Sequence, residues 1–193
     1  MMDLIQGSGI FVYPLGLCSF LAVFIIIERL IALRAARTLP EYLATQLIEG
    51  KIPEHSDPVS VAGRIIWFFQ HKDCDADQLK AFARLQITGM ERGLFILEIV
   101  ISAAPLLGLL GTVTGLVHVF AQISPDSGLP DTKGFVEGVA LALTTTILGL
   151  GIAIPSLIFN SFLNRRIDTL AARIHVGVER LISLKKKSEQ SER

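Results

Sequence analysis

Apolar residues in this chain follow two patterns. In the first, three long runs contain no Asp, Glu, Lys or Arg at all: residues 4–27 (24 residues), 99–125 (27 residues) and 138–164 (27 residues). Each is long enough to cross the apolar core of a bilayer as a helix, which takes about 20 residues. In the second pattern, apolar residues recur at helical spacing with polar residues between them. Leu79, Phe82, Leu85, Met90, Leu94 and Leu97 lead in this way into the second run, with only Gly89 and Gly93 as breakers, so the pattern predicts a single helix over residues 77–122. Its first twenty residues would extend about 30 Å beyond the membrane. Beyond the third run, Ile167, Leu170, Ile174, Val178 and Leu181 continue at spacings of 3, 4, 4 and 3, until Lys185, Lys186 and Lys187 close the series. That seam is either the dry face of a solvated amphipathic tail or the contact of a helix packed on a partner. No strand pattern and no internal repeat are present. The predicted fold is an all-α integral membrane protein with three transmembrane helices, the second and third extended into the cytoplasm as long helices.

Composition strengthens this reading. Of the 193 residues, 51% are apolar and 19% charged, and every charge falls outside the three runs. A soluble domain needs charge across its whole surface, so that class is excluded. The 18 Lys and Arg balance 18 Asp and Glu. No single-sign basic face exists, which excludes an electrostatic nucleic-acid binder.

The cations also predict an orientation. Nine Lys or Arg lie between the first two runs, eight follow the third, and only Lys133 lies in the short hairpin between the second and third. Cationic flanks stay on the cytoplasmic side. The expected layout is therefore a periplasmic or interfacial segment over 1–13, a first span over 14–34 opened by Pro14, and a cytoplasmic helical segment over 35–93. A second span over 94–122, a periplasmic hairpin over 123–134, a third span over 135–163 and a cytoplasmic helix and tail over 164–193 complete it. Within the cytoplasmic segment, residues 38–60 predict a short helix followed by a loop. Asp3 is the only charge before Glu28, so the first span is expected to be an uncleaved anchor rather than a signal peptide. Cys18 and Cys74 fall in different compartments, and the four His are scattered. No disulfide, no metal site and no cofactor are expected.

The second and third spans are rich in small residues. Ala104, Gly108, Thr112 and Gly115 recur at spacings of 4, 4 and 3, with Gly111 beside them, and Ala142, Thr146, Gly149 and Ala153 at 4, 3 and 4. Small faces let helices approach closely in lipid, where packing rather than apolar burial drives association. The same faces carry hydroxyls: Thr112 and Thr114, then Thr144, Thr145 and Thr146. A membrane threonine either bonds a carbonyl one turn back or faces a neighbour or lumen. Three in succession point in different directions, so at least one should face outward from its own helix. Pro105 and Pro155 either make tolerated kinks or mark a working region. Ionisable groups are scarce in the spans. His118 is near an outer end, and Glu98 and Glu137 stand at boundaries, so no buried carboxylate capable of relaying protons alone is evident. If protons cross, a partner must bring the carboxylate.

Two stretches carry a family resemblance. Residues 104–115, APLLGLLGTVTG, resemble the second-helix signature of the ExbB/TolQ/MotA proton-channel family. Residues 140–155, ALALTTTILGLGIAIP, followed by Asn160, resemble its third-helix signature. The resemblance implies a subunit of an energy-transducing inner-membrane motor, closest to ExbB or TolQ. It implies a homo-oligomer, a pentameric ring enclosing single-span ExbD- or TolR-like partners, and a partner Asp that carries the proton. It places Thr112 and Thr146 on the proton path, with Thr145 and Glu137 as further lining candidates, and TonB-dependent import or a related envelope process as the work done. The pattern is broken at one place. ExbB and TolQ proteins usually carry a Glu five residues before the threonine equivalent to Thr146, and here Leu141 stands there. Glu137 lies about one turn outward, rotated by about 40°; it either replaces that carboxylate or is a helix-start Glu favoured by the dipole.

Two rival readings follow from the same residues. A flagellar-type, MotA-like stator resembles a four-span protein with a larger cytoplasmic domain, whereas this chain has three spans. A passive membrane scaffold would use the small faces for assembly alone and conduct nothing. An intramembrane enzyme is disfavoured because no nucleophile and base, paired carboxylates or metal-ligand spacing are found.

Overall fold

The computed structural model describes residues 9–33, 60–72, 74–121 and 132–191. The segments expected over 38–59 and in most of the hairpin lie outside the described residues. The described part is all helical: α1 (Val12–Ala32), α2 (Val61–His71), α3 (Ala76–Thr88), α4 (Leu94–Ala121) and α5 (Thr132–Ser191). Three helical stretches are long and apolar enough to cross a membrane. Pro14 sits in the first turn of α1, where its missing N–H would find no intrahelical acceptor anyway.

The single helix predicted over 77–122 is broken. After α3 a short 3-10 turn, Gly89–Glu91, leads to Arg92 in an extended conformation (φ −56°, ψ 129°) and to Gly93 at φ 91°. Gly93 is the only described residue with positive φ, a region that costs an L side chain about 1–2 kcal/mol. Apolar periodicity bridged this gap in the sequence, but the backbone does not. By contrast, α5 is one helix of 60 residues.

The chain forms two compact units. The first comprises residues up to Ile27 together with Gly93–Ser161; the second comprises Glu28–Arg92 and Phe162–Arg193. In the second unit α2 begins at Ser60, whose hydroxyl caps Gly63 N–H at 2.9 Å, and α3 begins in an Asp75–Gln78 capping box. Phe68 of α2 stacks on Phe82 of α3 at 4.2 Å, and Arg64 donates to Gln86 at 2.9 Å. The seam of α5 residues 167, 170, 174, 178 and 181 is buried within this unit. Arg166 donates to the Leu33 carbonyl at 2.9 Å and Lys185 to the Cys74 carbonyl at 3.0 Å. The seam's partner, left open by the sequence, therefore includes the chain itself.

Candidate functional site

The first unit holds the two small-residue faces, and the structure packs them on each other. Gly108 lies so close to α5 that an added Cβ would stand 2.8 Å from the Thr145 carbonyl oxygen and 2.9 Å from the Thr146 Cα. A Cβ on Gly111 would meet the Thr145 side chain, one on Gly115 the Ala142 methyl at 2.8 Å, and one on Gly149 the Ala104 carbonyl. At Gly108 and Gly149 two backbones come nearly into contact, while Gly111 and Gly115 make room for the Thr145 and Ala142 side chains. Ala104, Ala142 and Ala153 are buried with them. Leu15 of α1 packs against Ala104 and Ala153, with Cys18, Leu107 and Ile152 around them. The first span is thus more than the plain anchor the sequence suggested, although nothing in its pattern distinguishes Leu15 from its apolar neighbours.

The threonines divide by hydrogen-bond partner within this interface. Thr114 and Thr144 donate to carbonyls one turn back in their own helices, at 2.8 and 2.9 Å, the self-satisfied arrangement usual for membrane threonines. Thr112, which is buried, also turns inward, donating to the Leu109 carbonyl at 2.6 Å. Thr145 and Thr146 reach across. Both hydroxyls donate to the Gly108 carbonyl, at 3.1 and 3.0 Å. Thr145 shares its one proton with the Ala142 carbonyl at 2.7 Å. The centre of the α5 face is therefore Thr145, 2% exposed, while Thr146 stands at its edge. Spacing alone placed Thr146 on the face because a 3.6-residue period lies between steps of 3 and 4, and both choices fit the small residues.

Pro105 and Pro155 lie inside α4 and α5. Each lacks the amide that would bond the carbonyl one turn back, so each removes one hydrogen bond from its helix within an apolar span. Glu137 has helical backbone, but its side chain and that of Leu141 lie outside the described ones. Glu137 precedes Thr146 by nine residues, about two and a half helical turns, which puts the two positions on opposite sides of α5. The structure thus brings Thr145, Thr146 and Gly108 together, with Thr112 one turn farther along α4.

Farther along α5, Ser156 and Asn160 are buried on the same seam as Ala142, Thr145, Gly149 and Ala153. Ser156 donates to the Ile152 carbonyl at 2.7 Å. The Asn160 side-chain oxygen has no hydrogen-bond partner, and an unpaired buried acceptor costs about 1–3 kcal/mol. Asn160 was visible in the sequence as part of a motif; its spacing from Thr145 and Ala153 was the signal that would have put it on the face.

Comparison with known proteins matches residues 69–175 to the MotA/TolQ/ExbB proton channel family, more than half of the chain, including both small-residue faces. The chain belongs to that family. Among its relatives, the biopolymer transport protein ExbB of Helicobacter pylori is 37% identical over 100 residues, covering 51% of this chain and 68% of that protein. The biopolymer transport protein ExbB of Aquifex aeolicus is 38% identical over 109 residues, 56% of this chain and 72% of its own length. The biopolymer transport protein exbB1 of Vibrio cholerae is 26% identical over 190 residues, spanning 90% of this chain and 83% of that one. Membership explains why the apolar helices pack through small residues around hydroxyls, and makes the chain a multi-pass membrane protein of a proton-channel family rather than of an enzyme family.

Proposed function

We propose that this chain is the proton-channel subunit of an ExbB-type motor in the bacterial inner membrane, converting proton motive force into mechanical work for TonB-dependent import or a related envelope process. The observation that carries this reading is the convergence of the Thr145 and Thr146 hydroxyls on the Gly108 carbonyl, inside the packed face of two membrane helices. In this reading the N-terminus is periplasmic and the C-terminus cytoplasmic. Five copies surround ExbD- or TolR-like single-span helices, with a TonB-like protein as the further partner. A membrane Asp on the partner carries the proton, and Thr112 and Thr146 line its path with Thr145 behind them.

The hydrogen-bond geometry supports a working cycle. A protonated partner Asp needs an acceptor, which the lone pairs of Thr146 supply while its proton stays on Gly108. An ionised Asp needs a donor instead, so Thr146 swings its proton from the Gly108 carbonyl to the carboxylate. The bond given up is worth about 0.5–1.5 kcal/mol net, and a hydrogen bond to a charged group about 1.5–3 kcal/mol. Each proton crossing supplies about 2.3 kcal/mol per 100 mV. The switch is therefore affordable at ordinary membrane potentials, whereas breaking the glycine-to-backbone packing at every step would not be.

The test is proton flux in vesicles holding the chain with an ExbD- or TolR-like partner. Thr146→Val should lower flux by about tenfold or more, the rate equivalent of one hydrogen bond, while the complex still assembles. Wild-type flux in that variant would sink the threonine assignment. No flux from the unaltered complex with any such partner would favour the passive scaffold. Glu137 remains a candidate for the outer mouth, in place of the carboxylate missing at Leu141. Glu137→Gln should then change flux and its pH dependence, and an unchanged profile would reduce Glu137 to a helix start.

A further inference from the structure

We infer that neighbouring copies of this chain meet through a hydrogen bond inside the membrane, from the Ser102 hydroxyl of one copy to the Gly151 carbonyl of the next; the inference rests on the homo-oligomer proposed above. The acceptor is made by Pro155. Its nitrogen carries no hydrogen, so the Gly151 carbonyl loses the amide, four residues on, that an α-helix would aim at it. Gly151 is exposed, and a Cβ added there would meet nothing within 4 Å, so the surface above it stands open. In hydrocarbon an acceptor without a donor is costly, and a donor from a neighbouring helix is one way in which membrane prolines are tolerated.

The donor stands on the other side of the α4–α5 pair, at the same depth. The two helices run antiparallel and touch where Gly149 faces the Ala104 carbonyl. Ser102 is two residues before Ala104 and Gly151 two residues after Gly149, so both lie about 3 Å from that contact in the same direction. Two residues are also a rotation of about 200°, which carries Ser102 to the side of α4 away from α5 and Gly151 to the side of α5 away from α4. Ser102 is exposed, and its hydroxyl donates to the Glu98 carbonyl at 3.0 Å. That carbonyl also receives the Ser102 amide within α4, so turning the hydroxyl toward a neighbour orphans nothing. Leu106 and Ile147, two residues to the other side of the same contact, are 64% and 67% exposed and bring an apolar pair to the same two seams. A second copy is the occupant this arrangement fits. Rotation about an axis along the membrane normal keeps every residue at its depth, so the Ser102 side of each copy meets the Gly151 side of the next at matching height. The two sides differ, which makes the contact head-to-tail, the type that closes rings.

Pro155→Ala separates this bond from ordinary packing, because it returns to the Gly151 carbonyl the amide that proline withholds. Ser102→Ala should raise the protein concentration at which the oligomer half-dissociates in detergent by at least about threefold, the effect of one hydrogen bond. In the Pro155→Ala background the same serine substitution should change it by less than about twofold. No effect of Ser102→Ala in the natural background, or equal effects in both, overturns the inference. Where one of these variants does not assemble, disulfide trapping decides. In a chain with Cys18 and Cys74 replaced by alanine, Ser102→Cys with Gly151→Cys should link copies into a ladder of covalent multimers in membranes treated with copper phenanthroline. Ser102→Cys with Ile158→Cys is the register control, seven residues or about 10.5 Å farther along the same side of α5, beyond disulfide reach. It should link at least about fivefold less. Equal linking by the two pairs, or none by either, overturns the inference. A native mass of one chain removes the homo-oligomer and this inference together, whereas an oligomer with no preference for the 102–151 pair removes this inference alone.

Discussion

At the scale of single residues, the candidate site depends on absent side chains as much as on present ones. Gly149 faces the Ala104 carbonyl so closely that a methyl group has nowhere to go, and both partners are backbone, which cannot rotate away. Gly149→Ala should cost about 1–3 kcal/mol, the usual range for overpacking, seen as a lower melting temperature in detergent. Gly151→Ala, two residues on with nothing within 4 Å, is the matched control and should be tolerated. Equal effects from the two would mean that the close approach of α4 and α5 is not what the glycines provide. Much of this was legible beforehand: the periodicity of Ala104, Gly108, Gly115, Ala142 and Gly149 identified the packed faces. Which threonine stands at the centre was not legible. Thr145 and Thr146 differ by one position and both donate to the Gly108 carbonyl; what separates them is burial, complete at Thr145 and partial at Thr146. Asn160 stood in a sequence motif, but the lack of a partner for its buried oxygen was not legible, since a missing partner leaves no trace in a sequence.

At the scale of elements, the third apolar helix follows the pattern closely and the second does not. The third apolar run and the seam beyond it propagate as one helix, and α5 continues for 60 residues although Pro155 lies inside it. Before α4, two glycines four residues apart interrupt an otherwise periodic stretch, and the chain uses Gly93 to turn at φ 91°. Gly93→Ala should destabilise the fold by about 1–2 kcal/mol, whereas Gly89→Ala, at a site with right-handed helical backbone and open space for a Cβ, should be neutral or slightly stabilising. Comparable losses at both positions would contradict the turn at Gly93. The α2 helix falls inside the helical segment expected over 35–93, but its own bounds were not predicted, because its eleven residues are too short for periodicity to speak clearly. Between α3 and α5, Lys80 and Glu179 pair at 2.8 Å on the surface. The hydrogen bond to Glu179, then its charge, raises the Lys80 pKa above the ordinary 10.5. A raised lysine pKa means the contribution is complete below the unfolded value and fades only as pH climbs through the folded one. Lys80→Gln should therefore show no pH-dependent difference from the unaltered chain between pH 6 and 9, and any small offset should vanish in high salt.

At the scale of the whole molecule, the zero net charge conceals a separation. Segments assigned to the inner side carry a net +3 and those assigned to the outer side a net −3. The asymmetry lies mainly in the cations, 17 of 18 of which fall on one side of the three spans, and Lys and Arg rather than net charge set orientation. Large apolar side chains such as Phe95, Leu106, Val117 and Ile158 remain exposed on a single copy. In lipid such surface does not by itself drive association, so a ring must be held by fitted packing, and the proposed pentamer predicts a native protein mass about five times the 21.1 kDa of one chain. Orientation can be tested independently of assembly. In a chain with Cys18 and Cys74 replaced by alanine, Ser127→Cys should react with an impermeant thiol reagent added outside intact spheroplasts, and Ser188→Cys only after the membrane is opened. The reverse pattern would place the cationic segments outside against the Lys and Arg bias. It would also turn the proposed proton path end for end.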